Sequence, residues 1–286
     1  MSELTFIKGK DACLEDSIAS MQSTLKTMGF EIDEASWLNP VNNVFSLHIN
    51  DKRCPGLFTN GKGTSRKSTL ASALGEYLER LSTNYFFSDY WLNSSKSNQA
   101  WLYYPDEKHY TEATIQECLT PELWGFYNST DELGFNELLS FNDSDDVVKA
   151  IPLKNAHTQE VAYFPMNLLS NLYASNGLSA GNTDVEAQVQ GLSEIFERWV
   201  KNKILRENLC LPEIPNEVVQ SFPAIIEAVE ALKKVGIEVS MRDASLGGVF
   251  PVINVTLFEQ KTGTCFASFG AHPIFEVALE RTLTES

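Results

Sequence analysis

Basic charge is scarce in this sequence. Lysine and arginine total 22 against 38 aspartates and glutamates, a formal charge of −16. A general binder of nucleic-acid backbone carries a basic face, so that class is excluded and no direct nucleic-acid contact is expected. The deficit still allows a small anion held through metal ions, because metals need acids. Long apolar runs are also missing. No stretch reaches ~18 apolar residues, so no membrane span is expected. The opening MSELTFIKGKDA has no apolar core of the signal-peptide kind. The five cysteines, Cys13, Cys54, Cys118, Cys210 and Cys265, are odd in number and form no C-x-x-C pair. That suits a reducing compartment and inert thiols. The histidines (His48, His109, His157, His272) form no H-x-x-x-H or E-x-x-H pair. A zinc or di-iron centre therefore lacks its usual ligands.

What is present fits a folded domain: 43% hydrophobic residues can bury a core, and 286 residues allow one large domain or two small ones. Leu14, Ile18, Met21, Leu25 and Met28 recur at helical steps, giving a helix over 12–28 that ends near Gly29. Phe45, Leu47 and Ile49 alternate as in a half-buried strand. The segment from Phe58 to Thr64 reads as a glycine-containing turn before a long helix from about Arg66 to Tyr85. Residues 92–160 are polar and turn-rich, with an acidic patch at 142–146, and read as loops and short elements near the surface. Further helices are expected at 184–205 and 216–235, and strands at about 237–242, 249–258 and 263–269. Long helices mixed with strands predict an α/β (mixed α+β) fold.

Three helical stretches end alike: A-L-G-E-Y-L-E-R at 73–80, G-L-S-E-I-F-E-R at 191–198 and F-E-V-A-L-E-R at 275–281. In the first, Leu70, Leu74, Tyr77 and Leu81 form the expected core stripe, while Ser72, Glu76 and Glu79 share another face. In the second, Val185, Val189, Leu192, Phe196 and Trp199 form the expected core stripe. Glu186, Gln190, Glu194 and Glu197 line the other, with Asn182 just before it. Eleven residues nearly complete three turns, so Glu186 and Glu197 point almost the same way. A solvated helix face usually mixes lysine with glutamate, yet these stripes hold little lysine. Both also follow turns rich in glycine and small polar residues, where a phosphate can approach backbone N–H groups. Mg²⁺ prefers a few carboxylates plus substrate phosphates. The segment from Gly61 to Ser68 imitates a Walker loop, but Arg66 stands where the glycine before Lys67 is required, so a P-loop fold is not expected.

Three ordered blocks carry a resemblance. They are Gly9-Lys10-Asp11-Ala12 with Glu15-Asp16-Ser17 and then Ser72-x3-Glu76-x2-Glu79-Arg80; Ser179-Ala180-Gly181-Asn182-x3-Glu186-x7-Glu194-x2-Glu197-Arg198; and Gly270-Ala271-His272-Pro273 with Arg281-x3-Glu285. On these the sequence resembles the YcaO family over nearly its whole length. Wording such as Asn84-Tyr85-Phe86-Phe87 points to its bacterial YcaO branch. The resemblance implies a single YcaO-type ATP-binding domain over residues 1–286, incomplete at its C-terminal end, with ATP and Mg²⁺ as cofactors. Carried over, Glu76, Glu79, Asn182, Glu186, Glu194, Glu197 and Glu285 would hold Mg²⁺. Lys10, Ser17, Ser72, Ser179, Arg198 and Arg281 would contact nucleotide or phosphates. Arg80 stays ambiguous between that role and a surface ion pair, and His272 reads as part of a turn. The branch further implies a cytoplasmic accessory factor in β-methylthiolation of an aspartate in a small-subunit ribosomal protein. Its partners there are a radical-SAM methylthiotransferase and that ribosomal protein; self-assembly into a homo-oligomer is left open. Two other readings stand beside slow ATP hydrolysis: an ATP-stabilised adaptor without catalysis, and cyclodehydratase-like activation of a peptide backbone amide.

Overall fold

The computed structural model describes residues 4–83, 106–139, 146–171 and 175–286. These fall into two compact units, Met1–Arg80 with Asn176–Ser286, and Leu81–Ser175. The patch at 142–145 and the residues 84–87 lie outside the described residues.

The first unit begins with helix α1 (Leu14–Thr27) and an antiparallel meander of β1 (Ile32–Val41), β2 (Val44–Asp51) and β3 (Cys54–Gly63), followed by helix α2 (Arg66–Ser82). Leu47 and Ile49 of β2 are fully buried, as their alternation predicts. From α2, Ala73, Leu74 and Tyr77 are buried with them, and Phe30 meets the Tyr77 ring edge-on at 5.7 Å. The turn expected at 58–64 is instead, up to Gly63, the end of strand β3. Gly61 pairs with Leu47 across the ladder, and a Cβ on Gly61 would stand 2.1 Å from the Thr69 carbonyl oxygen and 2.6 Å from the Ala73 nitrogen. The glycine here serves close helix-on-strand approach rather than chain reversal. Thr59 reinforces it by donating its hydroxyl to the Ala73 carbonyl at 2.9 Å.

The rest of this unit is helix α6 (Asp184–Glu207), the short α7 (Asn216–Val219), α8 (Pro223–Lys234), a second meander of β7 (Ile237–Asp243), β8 (Val252–Glu259) and β9 (Cys265–Ala271), and helix α9 (Phe275–Glu285). The helix expected at 216–235 is split, because Pro223 has no N–H to continue it and starts α8 afresh. The β7–β9 sheet has both faces covered. Ile253 and Val255 pack with Ile225 and Leu232 of α8 and Ala278, Leu279 and Leu283 of α9. Val252, Phe269 and Ala271 on the other face pack with Val200 and Ile204 of α6.

That last contact corrects the expected orientation of α6. Of Val185, Val189, Leu192, Phe196 and Trp199, read as its core stripe, only Val189 is half-buried, and the other four are 67%, 53%, 44% and 59% exposed. The inward face is the one shared by Glu186, Ser193, Val200 and Ile204, all buried. Val200 and Ile204 anchor the C-terminal half on the sheet, and helical geometry then turns the acid stripe inward along the N-terminal half.

The second unit holds β4 (Lys108–Tyr110), α3 (Pro121–Tyr127), α4 (Phe135–Leu138), β5 (Val148–Lys154), β6 (Val161–Pro165) and α5 (Met166–Asn171). The strands form an antiparallel sheet in the order β4-β5-β6. The short elements expected here enclose a core of their own, built from Tyr110, Ile115, Cys118, Leu119, Leu138, Val148 and Ala150. These residues are too widely spaced in the sequence to show one period.

Cysteine exposure gives a direct check. Cys13, Cys54 and Cys118 are buried while Cys210 and Cys265 are exposed. Burial also pushes the Cys118 thiol up to about 11, away from the reactive thiolate. A maleimide should therefore modify two cysteines in the native chain and the other three only after unfolding. Peptide mapping that finds Cys118 labelled as fast as Cys265 would contradict this core.

Candidate functional site

The first side of the site is the face of α2 that carries Glu76, Glu79 and Arg80. Arg80 bridges both of its acids, with Nη2 3.1 Å from Glu76 Oε1 and Nη1 3.3 Å from Glu79 Oε1. Burial pushes the Glu79 carboxyl up to about 7; Arg80 pulls it down, and the Glu76 and Glu194 carboxylates push it further up. Ser72 lies one turn before Glu76, and its hydroxyl oxygen faces the Lys62 N–H at 3.5 Å, too long for a firm bond. This serine is open to a better partner.

The second side is the start of α6. Thr183 caps the helix, its hydroxyl accepting from the Glu186 N–H at 3.1 Å and meeting the Asp11 carboxylate. Glu186 is 7% exposed, and both its oxygens are occupied. Lys10 Nζ donates to Oε1 at 2.9 Å; the Asp11 N–H and Asn182 Nδ2 donate to Oε2 at 3.0 and 2.9 Å. Ser17 donates its hydroxyl to Asn182 Oδ1 at 2.7 Å, setting the amide's orientation. Burial raises the Glu186 carboxyl, but the Asp11, Asn182 and Lys10 donors outweigh it and leave the group below its ordinary range.

Further along α6, Glu194 Oε2 accepts from the Gly177 N–H at 3.0 Å. The segment before the helix comes this close because residue 191 is glycine: a Cβ there would stand 2.8 Å from the Gly177 oxygen. Ser179 donates its hydroxyl to the Ala187 carbonyl at 2.6 Å, closing the same segment onto the helix. Arg198 reaches Glu194 at 3.5 Å and Glu197 at 3.8 Å. Burial, then the Glu285 carboxylate, push the Glu197 carboxyl up to about 7, with Arg198 and Arg281 opposing and Glu194 adding. The third side is α9, where Arg281 donates to the Gln190 side-chain oxygen. His272 is buried beside it, its Nδ1 accepting from the Ile274 N–H at 3.0 Å. Burial, then the nearby Arg281 and Lys10 charges, hold its imidazole below the usual range.

The predicted residues thus gather at two stations on one surface of α6. Glu79 feels the charges of Glu76 and Glu194, and Glu197 those of Glu285 and Glu194, so carboxylates from three helices meet there with Arg80, Arg198 and Arg281 among them. Glu186, Asn182, Ser17 and Lys10 form a separate, internally satisfied cluster. Three helical turns, about 16 Å of rise, separate Glu186 from Glu197. Two contributors escaped the sequence reading. The Gly177 N–H is a backbone group with no residue signature. Thr183 did carry a signal, since Thr183-x2-Glu186 has the spacing of a capping box.

The donor set suits a hard cation. It consists of carboxylate and amide oxygens, the ligands Mg²⁺ takes. Among the described residues no three His, Cys, Asp or Glu side chains already converge to hold a metal ion by themselves. Mg²⁺ itself fills much of its shell with phosphate oxygens and water. A cation among the mutually repelling carboxylates around Glu197 would relieve that repulsion.

Residues 60–286 match the family model described as YcaO cyclodehydratase, ATP- and Mg²⁺-binding. The chain belongs to the YcaO family. Among its relatives is the ribosomal protein S12 methylthiotransferase accessory factor YcaO of Escherichia coli (strain K12), 52% identical over 98% of this chain and 49% of that protein. An uncharacterised Haemophilus influenzae protein is 50% identical over 100% of this chain and 50% of its own length. The chain therefore spans about half the length of these curated relatives. Solved structures show the same fold at low identity. A heterocyclase in complex with substrate and cofactor superposes with a TM-score of 0.63 at 18% identity, covering 100% of this chain and 41% of that one. YcaO from Methanopyrus kandleri, bound with AMPPCP and Mg²⁺, gives 0.58 at 18%, covering 100% and 69%. The fold is mixed α and β, without a Walker loop. No helix among the described residues is long and apolar enough to cross a membrane.

Proposed function

We propose that this chain binds ATP together with Mg²⁺ and hydrolyses it slowly. It works as one YcaO-type domain over residues 1–286, in the cytoplasm, as an accessory factor in β-methylthiolation of an aspartate in a small-subunit ribosomal protein. Its partners in that reading are a radical-SAM methylthiotransferase and the ribosomal protein. The name of the Escherichia coli relative supports the pathway. The observation that carries the ATP site is the gathering of carboxylates from α2, α6 and α9 around the largely covered Glu79 and Glu197, with arginines beside them.

Glu76, Glu79, Asn182, Glu186, Glu194, Glu197 and Glu285 hold Mg²⁺ in this reading. When bound, the metal neutralises phosphate charge and polarises the bond to be cut. The protein's own part is positioning. Arg198 reaches Glu194 and Glu197 only at 3.5 and 3.8 Å, and Arg281 has a neutral amide oxygen, that of Gln190, as its partner. Both are free to turn to phosphate oxygens and stabilise charge there. In the same reading Ser72, Ser179, Ser17 and Lys10 contact the nucleotide or its phosphates.

Phosphate release by the unmodified chain, compared with Glu76→Ala and Glu194→Ala, tests the reading. Release above background that both substitutions abolish is expected. Measurable ATP binding with no release would leave an ATP-stabilised adaptor and remove the hydrolase.

A further inference from the structure

Residues 5–13 form a strap held to three helices by charged side chains. Thr5 donates from N and Oγ1 to Glu15 at 2.9 and 2.8 Å, and Glu15 is bridged to Lys67 of α2 at 2.5 Å. Lys8 is paired with Glu276 of α9. Lys10 is paired with Glu186 of α6, beside the Thr183–Asp11 contact. The Lys10 pair is unlike the other two lysine bridges. Its carboxylate side is 5% exposed, against 24% for Glu15 and 35% for Glu276. A buried carboxylate needs a charge partner, and here that partner is a lysine whose own side chain is 40% exposed.

We propose that the Lys10 ammonium is a built-in stand-in cation, which occupies Glu186 and pins the strap until Mg²⁺ and nucleotide displace it together. This rests on the reading of Glu186 as a metal ligand. A Mg²⁺ ion on Glu186 would sit about 2.1 Å from a carboxylate oxygen. Lys10 Nζ stands 2.9 Å from Oε1. A dipositive ion on the same carboxylate repels the Lys10 ammonium, which drives Lys10 off Glu186. It is half-exposed on a flexible four-carbon stem, so it can swing without repacking the core. Leaving without a new anionic partner is unfavourable, and a phosphate supplies that partner. Metal and nucleotide are thereby coupled: each lowers the cost of binding the other. Because Asp11 N–H also donates to Glu186, displacement reaches the strap's backbone.

The test titrates MgCl₂ without nucleotide into the intact chain and its Lys10→Met, Lys10→Arg and Lys8→Met variants, followed by thermal shift. Lys10→Met should bind Mg²⁺ at least about tenfold more tightly than the unmodified chain, a gain of roughly 1.4 kcal/mol. Lys10→Arg and Lys8→Met should respond as the unmodified chain does. Equal or weaker Mg²⁺ binding by Lys10→Met overturns the proposal. If Lys10→Met does not fold, hydrogen exchange on the unmodified chain decides. Adding Mg²⁺ with ATP should speed exchange at the Asp11 amide, and an unchanged rate with bound nucleotide rejects the stand-in role. Failure of the unmodified chain to bind Mg²⁺–ATP at all would instead reject the ATP site itself.

Discussion

Glu197→Gln is expected to weaken Mg²⁺–ATP binding about a hundredfold, roughly 2.7 kcal/mol, while making the ligand-free chain more stable above pH 7. The two effects have one cause. Glu197 is 13% exposed on its side chain and surrounded by Glu194 and Glu285. Its carboxyl is raised from an ordinary 4.5 to about 7. Between those values the folded chain keeps a proton that the unfolded chain has lost. The group's favourable contribution is therefore complete below pH 4.5 and is lost as pH rises through 7. Glutamine has the same shape and never ionises, so it avoids that loss. The gain above pH 7 is bounded by about 3 kcal/mol. Thermal melts in a chelator at pH 5 and pH 8 should show the variant's advantage growing with pH. An advantage that shrinks toward pH 8, or unchanged nucleotide affinity, would remove Glu197 from the site.

Gly61→Val should destabilise the chain by about 3 kcal/mol or more. The nearest obstacle to a side chain there is the Thr69 carbonyl of α2, at 2.1 Å, which cannot turn aside as a flexible side chain would. Helix α2 must move off the sheet, carrying Ser72, Glu76 and Glu79 with it, so nucleotide affinity should fall as well. Gly56→Ala is the control, because a Cβ at that position meets nothing within 4 Å. Its effect should stay within about 0.5 kcal/mol. Denaturant titration of both variants decides. Near-equal midpoints would mean that β3 and α2 are not packed as described.

Much of the fold could be read without coordinates. Helices α1, α2 and α6 and strands β2, β7 and β9 fall close to where periodicity puts them, since each buries a face against a long neighbour. The acid stripes were legible too, because helical spacing alone puts Glu186 and Glu197 on one line. Local spacing cannot say which side of a helix meets the core. On α6 the more hydrophobic stripe faces out, and Val200 and Ile204, late in the helix, set its rotation against β8 and β9. The β3 strand was hidden for a similar reason. Gly61 and Gly63 resemble turn residues until the partner they make room for, α2, is known.

The acidic content, the helical stripes and the three family blocks are properties of the sequence by itself, because they depend only on residue type and spacing. The gathering of Glu79, Glu197 and Glu285, and the pairing of Lys10 with Glu186 across 176 residues, were decided by tertiary structure. Charge interactions depend on distance and on exclusion of water. Neither exists until α2, α6 and α9 pack against their sheets.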